Sequence, residues 1–551
     1  MARTLLNRRW VQYDWRPLAR HVMPLLIPAS ENDGLADDGL ADVVVDRAAQ
    51  DVLKLAGVCS SMVTERGVNW FSYEPPFGLE DDADSLDWFS KATKVVQKVL
   101  EQSNFYTEQH SAVVDRIVAG TGLMLIEADE ERFVSFVHVP AGTYAIAENA
   151  QHEVDTVVRV FKFTPHQAVQ KFGLGALSEQ MRKDYLREDA RYTEEYEVWH
   201  LVEPRDVADL GNAQQDVNGR EVKLNPLQMR WRSVYMEAVS GHVLQESGFY
   251  EFPYLCSRYL KLAGNPYGVS ALYGLEDTLR KVIELQGAFT DGAMASAQPR
   301  VLVTPDLVEN VCLEAGGITV GSPQAVNSGM PKEWASVVNY PVGQALMEEK
   351  LQSVDKALFI PDIQVVSNVE RPMTATEAQL RANEKVMTFA PTFTQYVADL
   401  RRPMERIFAI CYRAGLFPKN YVPRGLLSPT EASEGRLYRI NAPGAAYIGR
   451  MAKALESNKV RGLQTLMEFG AQMAQATGDA GFVEAIRPAH AMKYFARELN
   501  VPDECTWELK RLEEMQEKRE RQADARAAAE VEQMRAAAAK DAAAAGQDKG
   551  R

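Results

Sequence analysis

The residues of this chain that could do chemistry are few and far apart. Gly120-Thr121-Gly122 could cradle a phosphate if a strand led into it and a helix left it. Here a helical pattern leads in and an apolar run comes after, so the glycines read as a tight turn. No Gly-Lys dipeptide occurs, which removes the phosphate-binding loop that needs one. The eight histidines are dispersed, and His152-Glu153 lacks the second histidine that a zinc-protease helix requires. His200, beside Trp199, reads as a strand residue rather than a base. The five cysteines, Cys59, Cys256, Cys312, Cys411 and Cys505, contain no Cys-x-x-Cys pair and read as reduced, mostly buried thiols. No Gly-x-Ser-x-Gly elbow is present. Asp37-Asp38 and Asp81-Asp82 sit in polar stretches and read as solvated surface, not as a two-metal site. The expectation is a structural or binding protein without catalytic residues, metal or cofactor.

Composition narrows the class. The 551 residues are 46% hydrophobic and 25% charged, as in globular proteins, and the length suggests three or four domains. There are 61 basic and 76 acidic residues, a net charge of −15. Such an acid does not wrap DNA over its whole surface, although local basic rings remain open to it. No apolar run reaches the roughly 18 residues of a membrane helix. The basic N-terminus lacks the apolar core of a signal peptide. A soluble protein made in the cytoplasm, with no membrane contact, is expected.

The elements that must position any site emerge from periodicity. Trp10, Tyr13, Trp15 and Pro24 suggest a strap across another surface, followed by an exposed loop at 31–39. Val45, Ala48, Ala49, Val52, Leu55, Ala56, Cys59, Met62 and Val63 keep helical spacing. Asn69-Trp70-Phe71 ends that helix against a loop. Further helices are expected over 85–103 and 106–119. From 120 to 262 the pattern becomes that of an antiparallel sheet, with strands at 123–127, 133–139, 156–163, 196–202 and 229–238. Residues 206–225 read as a hairpin tip or insertion. A long helix is expected from Tyr267 to about Ser296, stopped by Pro299. A small β-containing excursion covers 299–341, and a helix restarts near Val342 and ends by Pro361. Thr374-x-x-Glu377 is a capping box that opens a helix running to Ala414. Gly415 is its C-terminal stop, and Pro391 and Pro403 are expected to kink it. Residues 443–500 read as helical, and 508–545 as an Ala/Glu-rich helix or frayed tail.

Several phrases, taken in order, carry a resemblance. They are Asn69-Trp70-Phe71, Ser103-Asn104-Phe105-Tyr106, Gly120-Thr121-Gly122 and Ser247-Gly248-Phe249 with Pro253. Next come Arg258-Tyr259 and Tyr267-Gly268, then Met373-Thr374-Ala375-Thr376-Glu377 and Arg413-Ala414-Gly415-Leu416-Phe417-Pro418. Over roughly 10–500 the chain resembles the portal, or head-to-tail connecting, proteins of short-tailed phages of the T7-like type. The resemblance implies an α+β, mostly helical subunit with an antiparallel sheet in its wing. It also implies a ring, typically of twelve copies, at one capsid vertex. The wing would be 1–268 and 374–418, and the stem helices 269–298 and 342–360. The clip, of small α/β build, would be 299–341, the tunnel loop 361–373, the helical crown 419–505 and the tail 506–551.

Function comes from the resemblance as an expectation. The ring would pass double-stranded DNA during packaging and ejection, in the virion and, during assembly, in the host cytoplasm. Its partners would be itself, the terminase large subunit, a tail adaptor, and the major capsid and scaffolding proteins. Channel candidates are Gln364, Ser367, Asn368 and Arg371 in the tunnel loop, with Arg280 and Lys281 on the first stem helix. Arg280 and Lys281 could equally form ion pairs between subunits. Docking candidates in the clip are Arg300, Lys332, Glu333 and Trp334, with Trp334 either an exposed anchor or a core residue. A channel that lets DNA slide should be acidic or neutral with isolated cations, because each neutralised phosphate adds grip. The other readings are a virion-associated nuclease or peptidase and a monomeric adaptor or scaffold.

Overall fold

The computed structural model describes residues 2–8, 14–27, 43–75, 82–206, 226–297, 300–302, 323–327, 332–334, 340–367, 375–418, 426–429, 438–440 and 443–447, with isolated positions besides. The chain opens with α1 (Ala2–Arg8) and α2 (Arg16–Val22), then α3 (Asp46–Val63). Ala48, Val52, Leu55, Ala56, Cys59 and Val63 of α3 are buried, as their spacing requires. Strand β1 (Phe71–Tyr73) precedes α4 (Ala83–Gln102) and α5 (Phe105–Val118). Asp82 begins α4 by accepting a hydrogen bond from the Ser85 N–H at 3.3 Å.

The sheet region contains β2 (Thr121–Asp129), β3 (Phe133–Val139), β4 (Tyr144–Glu148) and β5 (Val154–Phe163). Three short helices come next: α6 (Pro165–Phe172), α7 (Glu179–Leu186) and α8 (Ala190–Thr193). Then come β6 (Tyr196–Pro204), β7 (Trp231–Glu237), β8 (Val243–Phe249), β9 (Tyr254–Arg258), β10 (Leu260–Lys261) and β11 (Gly268–Val269). Strands β4-β5-β6-β7-β8 form one antiparallel sheet in sequence order, and β3-β2-β9 a second. The rest is α9 (Glu276–Ala297), β12 (Arg300–Leu302), α10 (Pro323–Asn327), β13 (Lys332–Trp334), α11 (Tyr340–Ala357), α12 (Ile360–Ser367) and α13 (Ala375–Arg413). Strands β14 (Leu427–Pro429), β15 (Tyr438–Ile440) and β16 (Ala445–Tyr447) come last.

The main core lies between α3, α4, α5, the second half of α13 and the three-stranded sheet. Trp70, Phe89, Phe105, Phe136, Tyr396 and Phe408 are buried in it. Arg116 ties α13 down: its Nη2 donates to the Thr392 carbonyl at 2.9 Å, between the rings of Tyr259 and Tyr396. Tyr73 Oη donates to the Met404 carbonyl at 2.9 Å, and Trp88 Nε1 to that of Pro418 at 3.1 Å. The end of α13 is as the sequence suggests. Gly415 has φ 71°, its N–H reaches the Tyr412 carbonyl at 2.9 Å, and the Leu416 N–H reaches that of Cys411 at 3.2 Å. This is a Schellman closure.

The phrases Gly120-Thr121-Gly122 and Ser103-Asn104 have packing explanations. Gly120 has φ 83°, and a Cβ there would strike the Gly268 carbonyl; one on Gly122 would strike that of Ala112. The turn is where α5, β2 and β11 meet. Asn104 covers the free edge of β3. Its Nδ2 donates to the Phe136 carbonyl at 2.6 Å and its Oδ1 accepts from the Phe136 N–H at 3.0 Å. A side-chain amide thus replaces the missing neighbour strand.

Several expectations are corrected. The helix placed from Tyr267 begins at Glu276 instead. Tyr267 is buried, Gly268–Val269 pairs with β10, and the Ser270 hydroxyl takes the Leu272 N–H at 2.9 Å, so these residues are already committed. The expected loop at Asn69-Trp70-Phe71 is strand from Phe71, paired with Tyr447. Ala445–Tyr447, expected helical, is that strand's partner. The N-terminal strap, Trp10 to Pro24, is in part helical, as α2, with Trp15 buried. The expectations for 31–39, 207–225 and most of 448–551 lie outside the described residues.

Candidate functional site

The candidate site is built on the α9/α11 hairpin and on α12, the next helix along the chain. The apolar face of α9 places Leu279, Val282 and Ile283 in the core, which anchors its first half. Val354, Leu358 and Ile360 do the same for the end of α11 and the start of α12. The other half of the hairpin is different. From Val282 to Ala297, α9 has two acids, Glu284 and Asp291, and no base. From Tyr340 to Met347, α11 has no charge at all. Met294, Val342 and Leu346 are exposed there. Phe289 lies against Gly343, which brings the two helices close.

At the tip, β12 pairs antiparallel with β13. The register sets Arg300 opposite Trp334, Val301 opposite Glu333 and Leu302 opposite Lys332. Arg300 therefore shares one short ladder with Lys332, Glu333 and Trp334, which lie more than 30 residues further along the chain. Arg280 and Lys281 sit in the second turn of α9. The rest of that 22-residue helix separates them from the ladder, roughly 25 Å at 1.5 Å per residue. The two candidate groups are thus apart. Arg280 pairs with Glu276 one turn earlier at 3.5 Å, while Lys281 is exposed.

The segment 361–373, expected as a loop throughout, begins as helix: Gln364 and Ser367 lie on α12. Pro361 falls in the first turn, where a helix does not need its N–H. Asn368, Arg371 and Thr374, the expected cap, lie outside the described residues; the described part of α13 starts at Ala375. The break between α11 and α12 is made by Phe359 at φ 57°. This left-handed backbone costs a non-glycine residue about 1–2 kcal/mol. It persists because Leu358 and Ile360 on either side are buried.

One group of functional interest is not visible in the sequence. Arg47 of α3 grips α11 twice: Nη2 and Nε reach the Asp355 carboxylate at 2.5 and 3.1 Å, and Nη1 reaches Glu348 at 3.0 Å. These partners are about 300 positions apart, and neither has a local pattern that singles it out. No group of acids, histidines and cysteines suited to a metal occurs among the described residues. His200 is no base: it is fully buried on β6, its Nδ1 takes a hydrogen bond from Arg159 Nε at 3.0 Å, and burial pushes its pKa well down. Burial raises the thiol of Cys59 to about 11 and that of Cys411 to about 12, which leaves both unreactive. No described helix is long and apolar enough to cross a membrane.

A mixed α+β body with antiparallel sheets and a projecting helical hairpin suits a structural connector. The family model described as "Bacteriophage head to tail connecting protein" matches residues 5–506, and the chain belongs to that family. It is 25% identical over 481 residues to a portal protein of Salmonella phage epsilon15, covering 85% of this chain and 80% of the relative. It is 26% identical over 438 residues to a probable portal protein of Bordetella phage BPP-1, covering 76% of each. The resemblance read from the ordered phrases is thereby confirmed, and so is the α+β class. Neither the enzyme nor the monomeric adaptor is favoured. The role is that of a phage head–tail connector, a structural part of the virion.

Proposed function

We propose that this chain is the portal subunit of a phage head, forming a ring of about twelve copies at one capsid vertex. DNA enters and leaves through its axis. In this reading α9 and α11 are the stem, and the β12/β13 ladder belongs to the clip. Residues 361–373, helical in their first part, face the channel. The wing is 1–268 with 374–418, and the crown is 419–505. The ring would be assembled in the host cytoplasm with the capsid and scaffolding proteins, and would dock the terminase large subunit and later a tail adaptor.

The observation that carries the proposal is the half of the hairpin away from the core. Its apolar residues Met294, Val342 and Leu346 are exposed in one copy, and its charges are only acids. Neighbouring copies would cover the apolar side. An acidic wall would leave DNA free to slide, since phosphate contacts are what hold it. Because Arg280 is shared with Glu276, Lys281 is the stronger candidate for a cation facing DNA, with Arg371, Gln364, Ser367 and Asn368 nearer the loop. Arg300, Lys332, Glu333 and Trp334 are assigned to motor and tail docking. The test is the assembly itself. From a chain of 61.5 kDa, purified protein should form rings of about 740 kDa with a central hole in electron micrographs. Monomers at every salt concentration would overturn the reading.

A further inference from the structure

The α3/α11 contact holds more than an arginine clamp. Asp51, one turn after Arg47 on α3, is 1% exposed. One of its oxygens takes the Lys54 ammonium at 2.8 Å; the other, Oδ2, is buried and meets no hydrogen-bond donor. Asp355 of α11, itself 8% exposed, is held on the same face of α3 by Arg47, one turn before Asp51. A buried carboxylate oxygen without a donor is costly, and two adjacent carboxylates repel. A proton on Asp51 removes both costs.

We propose that Asp51 keeps a proton, which its orphaned oxygen directs at Asp355, and that this proton latches α11 to α3. When it leaves, the carboxylates repel across the contact and the last turn of α11 loosens. That turn is the one before Phe359, so the latch governs the helix that enters the left-handed break. The proposal does not depend on the ring. The charged groups around the pair are Arg47 and Lys54 from α3 and Glu348 from α11. The helices α2, α12, α5 and α13, also packed on α3, bring Arg16, Arg20, His21, Asp362, His110, Arg116 and Asp399, and α9, packed on α11, brings Glu276, Arg280 and Lys281. Burial and Asp355 raise the Asp51 pKa, and Lys54 opposes them. The folded protein therefore holds the proton above the ordinary carboxyl range, and the latch weakens as pH rises through that raised value.

Hydrogen exchange of the full-length protein tests this, with rates corrected for intrinsic pH dependence. Amides in the last two turns of α11 should lose about tenfold in protection between about pH 4.5 and 8. Asp51→Asn, which supplies the donor permanently, should keep them protected at every pH. Equal slopes in the two proteins, or no slope in the wild type, would overturn the proposal. If Asp51→Asn does not fold, the infrared band of a protonated carboxyl decides. The difference between wild type and Asp355→Asn should contain a band titrating above the ordinary range, because Asp51 gives up its proton earlier once Asp355 is gone; its absence overturns the proposal. Taking a difference sets aside Asp399, whose pKa burial also raises.

Discussion

At the scale of single residues, the histidine that reads as structural in the sequence has a measurable consequence. His200 sits among Arg159, Ser233 and Tyr254, with its Nε2 2.9 Å from the Ser233 hydroxyl and its Nδ1 3.1 Å from Tyr254 Oη. Burial, with the Arg159 charge second, holds it neutral. The unfolded chain takes up a proton near pH 6.5 and the folded one does not. Stability is therefore full above that pH and falls below it, by up to about 1.4 kcal/mol per pH unit. Urea unfolding of the wild type should show this acid loss, and His200→Gln should flatten it. That His200 belongs to a strand is legible because Trp199, Leu201 and Val202 make a strand-like run. Its surroundings are not legible, since Arg159 and Ser233 arrive from β5 and β7.

At the scale of elements, periodic patterns are the legible part. α3, α4, α5 and α13 obey their apolar spacing, and β3 has the expected ends. The short helices α6, α7 and α8 escape sequence reading because eight residues or fewer hold too few turns to show a period. α12 escapes it because Pro361 reads as a break, although a helix accepts proline in its first turn. Edge strand β3 gives the prediction at this scale. Asn104→Ala leaves the Phe136 N–H and carbonyl without their partner, which should cost roughly 1–3 kcal/mol. Chemical denaturation should register the loss, and light scattering should show more self-association as the edge opens. Asn104→Asp keeps the acceptor and loses the donor, and should fall between.

At the scale of the molecule, the ordered phrases identify the family without coordinates, because each marks a junction between elements. Gly120 and Gly122 lie where α5, β2 and β11 cross, and Gly415 ends α13. The grouping of Arg300 with Trp334 is legible only as membership of one excursion; their pairing needs the ladder. Its prediction concerns assembly. In the proposed ring, Trp334→Ala should leave the mass unchanged and reduce co-sedimentation of the proposed motor partner. Undiminished co-sedimentation would remove Trp334 from the docking surface.

The pairing of β1 with β16 joins Phe71 to Tyr447, and α13 supplies much of the core around Trp70. On the ribosome the first of these strands therefore leaves the exit tunnel long before its partner exists. At about 5–20 residues per second, the wait is on the order of 20–80 seconds. During that time Trp70, Phe71 and Phe105 have neither α13 nor β16 to cover them. Apolar surface of this kind stays exposed until the last third of the chain emerges, and until then aggregation is to be feared. This core closes only once that late segment is made, so an incomplete chain lacks the strand and helix that finish it.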